Sequence, residues 1–148
     1  MTAADESVAR FQAGFNCAAS VFSVQAERLG LDRETAVRVA GAFGGGISRT
    51  GEMCGAVTGA LMALGLRHAA TRAEDRETKE RMYEISKDFL ARFKARGHAL
   101  RCRDLLGIDV STHEGHELAR ERGLFRDVCP GLVRDAAEIL EEMLGRAE

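Results

Sequence analysis

The chain contains little proline, few aromatic residues and no tryptophan. One proline and one tyrosine occur among its 148 residues, and aromatic side chains make up 5% of the composition. No run alternates Val, Ile or Thr with polar residues, as a half-buried strand would, and sixteen glycines separate the apolar patterns. These absences disfavour strands and predict an all-α fold.

Long apolar segments are also missing. The uncharged run over residues 53–66, the one that most resembles a membrane span, has 14 residues, fewer than the roughly 20 that cross a bilayer. The N-terminal residues 1–10 carry Asp5, Glu6 and Arg10 and no apolar core, so we expect neither a signal peptide nor a membrane anchor. We therefore expect a protein with no membrane partner that stays in the cytoplasm, where thiols are kept reduced.

The charge is nearly balanced, at a net −2 with a pI near 6.1. Such a balance gives no general attraction to nucleic acid, so we expect no nucleic-acid partner. One basic run is predicted to dock an acidic redox partner protein, and a homodimer through helix faces is plausible. The cations of this run are Arg92, Lys94, Arg96, Arg101 and Arg103.

Caps and helical periodicity predict a single domain over residues 1–148, a bundle of about six to eight helices around a central Gly/Ala-rich helix. The expected caps are Asn16, Asp32, Thr71 with Glu74, and Ser111 with Glu114; Pro130 suits the first turn of the last helix. The predicted helices cover residues 7–13, 17–29, 33–43, 53–68, 71–96, 98–106, 111–123 and 130–145.

Four cysteines are widely spaced and form no Cys-x-x-Cys pair. Cys17, Cys54 and Cys129 are predicted to begin helices, whereas Cys102 is predicted to lie inside one, between two arginines. A helix start carries unpaired N–H groups and partial positive charge, which favour the thiolate. One such cysteine is most simply a small buried apolar residue. Four together in a reducing compartment favour a functional site.

A glycine loop, residues 44–51, precedes the central helix and could cradle an anion with its N–H groups and Arg49. It lacks the Gly-Lys-Ser/Thr ending of a nucleotide-binding loop. We therefore favour the interpretation that the loop is a turn whose glycines let the helices and the Cys54 sulfur approach one another closely. Arg49 is then expected as a cation close to the sulfur site. His113 and His116 are three residues apart, but we expect them on an exposed, charged face.

The stretch CGAVTG at residues 54–59 resembles the CGAxxG motif of a small helical family of redox-active proteins marked by four cysteines. Cys17, in the context Phe-Asn-Cys-Ala, resembles the first family cysteine, and Cys102 and Cys129 resemble the last two. The resemblance spans residues 11–130. It implies a redox role for all four cysteines. Similar domains look able to hold an iron–sulfur cluster, which needs four thiolates but no close sequence spacing.

Three hypotheses therefore remain open. In the first, the four cysteines, with Arg49 nearby, hold an iron–sulfur cluster that transfers electrons. In the second, Cys54 is the nucleophile of a thiol–disulfide oxidoreductase and another cysteine resolves it. In the third, the cysteines bind a structural zinc ion in a partner-binding module without redox activity.

Overall fold

The structure, a computed structural model, describes residues 1–145, so the end of the predicted 1–148 domain lies outside the described residues. Within that range the only strand-like pairing is an isolated bridge between Met53 and Arg101, which confirms the all-α prediction. The helices are α1 (Ala3–Gln12), α2 (Cys17–Arg28), α3 (Arg33–Val39), α4 (Gly55–His68), α5 (Arg76–Ala95), α6 (Cys102–Leu106), α7 (His113–Glu121), α8 (Leu124–Asp127) and α9 (Cys129–Leu144).

Helix α4 is the central element, as its composition predicts. It packs against α2, α5 and α9, and its small residues are buried on more than one side. The main core joins α4 to apolar side chains of its neighbours, among them Phe22, Phe89, Phe93 and Leu140. A smaller apolar cluster lies under α6 to α9 and includes Leu106, Val110 and Cys129. The cysteines lie where these two clusters meet.

Several helix ends differ from the predictions because other side chains cap them. Helix α1 begins at Ala3 rather than at residue 7, since Thr2 and Asp5 form a reciprocal capping box. Helix α5 begins at Arg76 because its N-cap is Asp75 and not the predicted Thr71. The Asp75 side chain accepts the N–H of Thr78. Thr112, rather than Ser111, caps α7 through the N–H of Gly115.

Two differences bear on the site. Helix α3 ends at Val39 instead of residue 43, which lengthens the glycine loop before α4. Helix α6 begins at Cys102 rather than at residue 98, so Cys102 starts a helix instead of lying inside one. The one-turn helix α8 was not predicted; it begins after Gly123, whose φ of 69° suits glycine.

None of the helices in residues 1–145 combines the length and the apolar character that crossing a bilayer requires.

Candidate functional site

All four cysteines line one cavity of about 820 Å³. Each lies at a helix start: Cys17, Cys102 and Cys129 are the first residues of α2, α6 and α9, and Cys54 is the N-cap of α4. Cys54 and Cys129 are buried, whereas Cys17 and Cys102 are partly exposed, and all four are free thiols. The fold thus gathers thiols that are far apart in sequence.

Asn16 positions Cys17. Its side-chain oxygen accepts the N–H of Ala19 at 2.8 Å, as the sequence predicts for an N-cap. Its amide nitrogen donates to the carbonyls of Ala40 and Gly41 at 3.4 and 3.3 Å. Asn16 therefore both caps α2 and hydrogen-bonds to the segment that follows α3, and so fixes the start of α2, where Cys17 lies.

Two glycines of the CGAVTG stretch explain how α4 approaches Cys17. A Cβ atom on Gly55 would lie 3.0 Å from the Cys17 Cβ, and one on Gly59 would lie 2.5 Å from the Ala18 carbonyl oxygen. Gly55 and Gly59 are four residues apart and so lie on the same face of the helix. The missing side chains allow α4 to contact the backbone of the first turn of α2.

A short antiparallel contact brings Cys54 and Cys102 together. Around the Met53–Arg101 bridge, the Cys54 N–H donates to the Leu100 carbonyl at 2.8 Å, and the Cys102 N–H donates to the Glu52 carbonyl at 2.6 Å. The two cysteines therefore flank the same bridge. The sequence did not predict this contact, because a single bridge is too short to leave the alternating apolar pattern of a strand.

The glycine loop packs closely against the side chain of Cys102 rather than that of Cys54. Residues 45–49 all have positive φ, although Ile47, Ser48 and Arg49 are not glycines. Left-handed backbone costs such residues roughly 1–2 kcal/mol each. At Gly46, a Cβ atom would lie 2.6 Å from the Cys102 Cβ. The close-approach interpretation of this loop is thus correct, but the neighbouring sulfur is that of Cys102.

Arg103 holds the end of that loop. Its guanidinium donates to the Gly51 carbonyl at 3.2 Å and the Thr50 carbonyl at 2.7 Å. It also forms an ion pair with Glu52 at 3.5 Å. Its charge slightly opposes the effect of burial on the pKa of Cys102. The sequence placed a cation here but could not indicate that it binds backbone.

The thiols of Cys17 and Cys129 are close enough to shift each other's pKa. The interaction with Cys17 lowers the pKa of Cys129 below its ordinary value although burial opposes this. The interaction with Cys129, followed by burial, raises the pKa of Cys17 well above its ordinary value. The two thiols therefore titrate as a pair, and the thiolate is favoured at Cys129.

Cys54 and Cys102 do not favour the thiolate. Burial raises the pKa of Cys54 to about 11, despite N–H groups of Ala56 and Val57 that favour the anion. Burial, with the nearby Cys54 and Cys129, raises the pKa of Cys102 to about 12. The expectation that a helix start favours the thiolate is wrong for Cys54 and Cys17, because burial and, at Cys17, the neighbouring sulfurs outweigh it. At Cys102, where the neighbouring arginines were expected to lower the pKa, burial outweighs the charge of Arg103.

Basic side chains line the outer part of the cavity. Arg49, Arg120, Arg126 and His116 all contribute to its wall, and no Asp or Glu among residues 1–145 does. The sequence suggested that His116 lies on an exposed face, and this is wrong. Its side chain is 14% exposed and packs against Phe125. His113 is exposed as predicted. Arg49, in the glycine loop, does lie in the cavity wall.

The basic run proposed for partner docking is largely engaged within the protein. Arg92 pairs with Asp88, and Arg96 pairs with Asp135 and Glu138. Arg101 and Arg103 both pair with Glu52. These carboxylates offset most of the positive charge that the sequence suggested for this surface.

A single metal ion has no ready site in this arrangement. Among residues 1–145, no three His, Cys, Asp or Glu side chains are grouped closely enough to hold an ion. The four thiols surround a cavity instead of converging on a point.

Residues 15–143 match the family described as "Putative redox-active protein (C_GCAxxG_C_C)". The chain belongs to this family. The match includes all four cysteines and both glycines of α4 that contact α2, and it confirms the resemblance found in the sequence. No curated protein and no solved structure matches the chain.

Proposed function

We propose that this member of the redox-active family is a thiol–disulfide redox protein whose reactive pair is Cys17 and Cys129. The supporting observation is that Cys17 and Cys129 begin α2 and α9 at the same cavity, where each thiol shifts the pKa of the other. Neighbouring sulfurs are what intramolecular disulfide formation requires, and a lowered pKa is what an attacking thiol requires. The proposal replaces Cys54 by Cys129 as the nucleophile.

The reaction begins at the Cys129 sulfur. Its thiolate attacks one sulfur of a disulfide; a Cys129–substrate disulfide forms, and the leaving thiolate takes a proton. The Cys17 sulfur, after losing its proton, then attacks Cys129 and releases the second thiol. Cys17 and Cys129 end as a disulfide, and two electrons have passed to the substrate. A thiol reductant reverses both steps.

Cys54 and Cys102 remain protonated in this scheme. Their raised pKa values keep them neutral near pH 7, so they add no negative charge beside the Cys129 thiolate. Cys54 is 4% exposed and packs in the main core. Both residues shape the wall of the cavity without reacting.

A thiol count tests the proposal. Metal-free, reduced protein treated with one equivalent of a mild oxidant should go from four titratable thiols to two. Cys54→Ser and Cys102→Ser variants should still lose two, whereas Cys17→Ser and Cys129→Ser should form no internal disulfide. An unchanged thiol count in the wild-type protein would contradict the proposal.

An iron–sulfur cluster is the second candidate, favoured by the presence of four thiols from four helix starts around one cavity. Four cysteines are the usual donor set, and a cluster accepts more widely spaced sulfurs than one metal ion does. Cys17, Cys54, Cys102 and Cys129 would hold it, and it would supply one-electron transfer. The structure gives zinc weaker support, because no three donors in residues 1–145 are grouped as an ion requires.

Anaerobic purification separates the two candidates. Protein that contains iron and acid-labile sulfide, and loses its visible absorption in each Cys→Ser variant, would favour the cluster over the dithiol. Colourless protein that still loses two thiols on oxidation would favour the dithiol.

A further inference from the structure

We propose that the mouth of the cysteine cavity recognises the carboxylates of a small anionic disulfide, which is then reduced by the Cys17–Cys129 pair. The inference rests on the proposed function and adds the class of substrate. The mouth is defined by Arg49, Arg120, Arg126, His116 and the loop residues 44–46.

The charge of the mouth is one-sided. Three arginines and a histidine line the cavity, and no carboxylate of residues 1–145 lies in its wall. Arg120 and Arg126 do have acidic partners, Glu117 at 3.4 Å and Asp127 at 3.0 Å, but both carboxylates lie outside the lining. Arg49 forms no ion pair within the part of the chain that the structure describes. A wall of this kind attracts anions and repels cations.

The arginines act on the same region of space. His116, on α7, packs against Phe125, and its pKa is lowered first by burial and then by the charges of Arg49 and Arg120. Arg49 comes from the glycine loop and Arg120 from the end of α7, so elements far apart in sequence converge here. A carboxylate placed between these two guanidinium groups would be stabilised by both.

The glycine loop adds backbone donors. Five consecutive N–H groups, from Ser48 to Glu52, donate to carbonyls of the loop. The preceding N–H groups of Gly44, Gly45 and Gly46 donate to no acceptor in residues 1–145, and these glycines line the cavity. Successive free N–H groups in left-handed backbone are typical anion ligands. The loop thus retains one part of the anion-cradle interpretation.

The size of the cavity favours a small molecule. Its volume of about 820 Å³ falls within the roughly 300–1,000 Å³ of small-molecule sites. Apolar side chains of Phe11, Phe125, Leu105 and Leu106 line the remainder and suit the carbon skeleton of the ligand. The charged end would then lie at the arginines, and the S–S bond near Cys129.

The experiment compares three disulfides of different charge, and each rate is divided by the rate of the same disulfide with a small reference thiol, because leaving thiols of different pKa react at different rates. Reduced protein is mixed with glutathione disulfide (anionic), hydroxyethyl disulfide (neutral) or cystamine (cationic), and the rate of thiol loss is measured by stopped flow. We expect the anionic compound to react at least about tenfold faster than the cationic one at low salt, and the ratio to fall at high salt.

Variants locate the effect. Arg49→Gln combined with Arg120→Gln should bring the anion-to-cation ratio close to one. The matched control is Arg72→Gln combined with Arg81→Gln, at arginines that are 78% and 64% exposed and do not line the cavity. This control should keep the wild-type ratio. Equal ratios in both double variants would overturn the assignment to Arg49 and Arg120.

Equilibrium binding separates this inference from the proposed function. S-methylglutathione carries the carboxylates but no reactive sulfur, and its binding to the Cys17→Ser/Cys129→Ser protein is measured by calorimetry. Binding that disappears in the Arg49/Arg120 variant supports the anion site even if no disulfide forms on oxidation. Normal disulfide formation, with no binding and no charge selectivity, would overturn the anion site and leave the proposed function standing.

Discussion

The cavity contains two pairs of cysteines that resemble each other in sequence and differ in chemistry. Cys54 and Cys102 flank a backbone bridge, and burial dominates their pKa values. Cys17 and Cys129 begin α2 and α9, and the effect of each thiol on the other dominates their pKa values. All four lie at helix starts, so the helix start does not account for the difference. What separates the pairs is whether a neighbouring thiol or burial has the larger effect on the pKa.

Removal of either sulfur of the reactive pair should have the largest effect. Cys129→Ser should slow reduction of a small disulfide at least about 100-fold, because the attacking thiolate is lost. Cys17→Ser should stop at the mixed disulfide, visible by mass spectrometry. Cys54→Ser and Cys102→Ser, as matched controls, should stay within about threefold of wild type. A larger loss in these controls would remove the distinction between the pairs.

A clash at α4 should disturb one pair before the other. Gly59→Ala places a Cβ atom 2.5 Å from the Ala18 carbonyl oxygen, next to Cys17, and should cost about 1–3 kcal/mol in urea unfolding. Gly65→Ala, on the same helix with no atom within 4 Å of the new Cβ, should stabilise by about 0.5–1 kcal/mol. We expect Gly59→Ala also to slow Cys17–Cys129 disulfide formation. Equal stability of the two variants would contradict the close packing of α4 on α2.

Alkylation should rank the four thiols. The pKa of Cys129 lies below its ordinary value, while that of Cys54 is about 11. At pH 7.5 the thiolate population favours Cys129 by at least about 100-fold, and the lower nucleophilicity of a less basic thiolate reduces this to about tenfold in rate. Mass spectrometry after brief iodoacetamide treatment measures the order.

The Cys17→Ala variant is the control for this ranking. Without the Cys17 thiol, burial is the remaining influence on Cys129, so its pKa should rise and its alkylation should slow. If Cys54 or Cys102 were alkylated before Cys129 in the wild-type protein, the predicted order of the thiols would be wrong.

The smallest effect is expected in alkaline stability. The pKa of Cys54 is about 11 in the folded protein against an ordinary value of 9.0, so the folded state holds its proton more tightly. The stability due to this group is complete below pH 9 and declines as the pH rises towards 11. Between pH 9 and 10 the unfolding free energy should fall by about 1 kcal/mol from this group. Cys54→Ala should show a shallower decline, and an unchanged slope would contradict the raised pKa.

Local signals in the sequence predict most of the helices. Asn16 and Asp32 cap the helices assigned to them, and the small residues of α4 predict its central place. Each of these features depends on neighbours within one or two turns. Competing caps and long-range pairing explain the errors: Asp75 caps α5 in place of Thr71, and the bridge at Met53 and Arg101 shortens α6.

The candidate site was predicted in composition but not in detail. The four cysteines and Arg49 are all in the cavity wall, as the hypothesis of a shared site expected. The pairing of Cys17 with Cys129 joins residues more than a hundred positions apart and has no sequence signal. Burial of Cys54 and the contribution of His116 likewise depend on which helices pack together.

The most direct test of the account is a disulfide map. Reduced, metal-free wild-type protein is oxidised with one equivalent of a mild oxidant, its remaining thiols are alkylated, and the peptides are identified by mass spectrometry. The account predicts a Cys17–Cys129 disulfide, with Cys54 and Cys102 alkylated. A disulfide between Cys54 and Cys102, or a mixture of pairings, would contradict it.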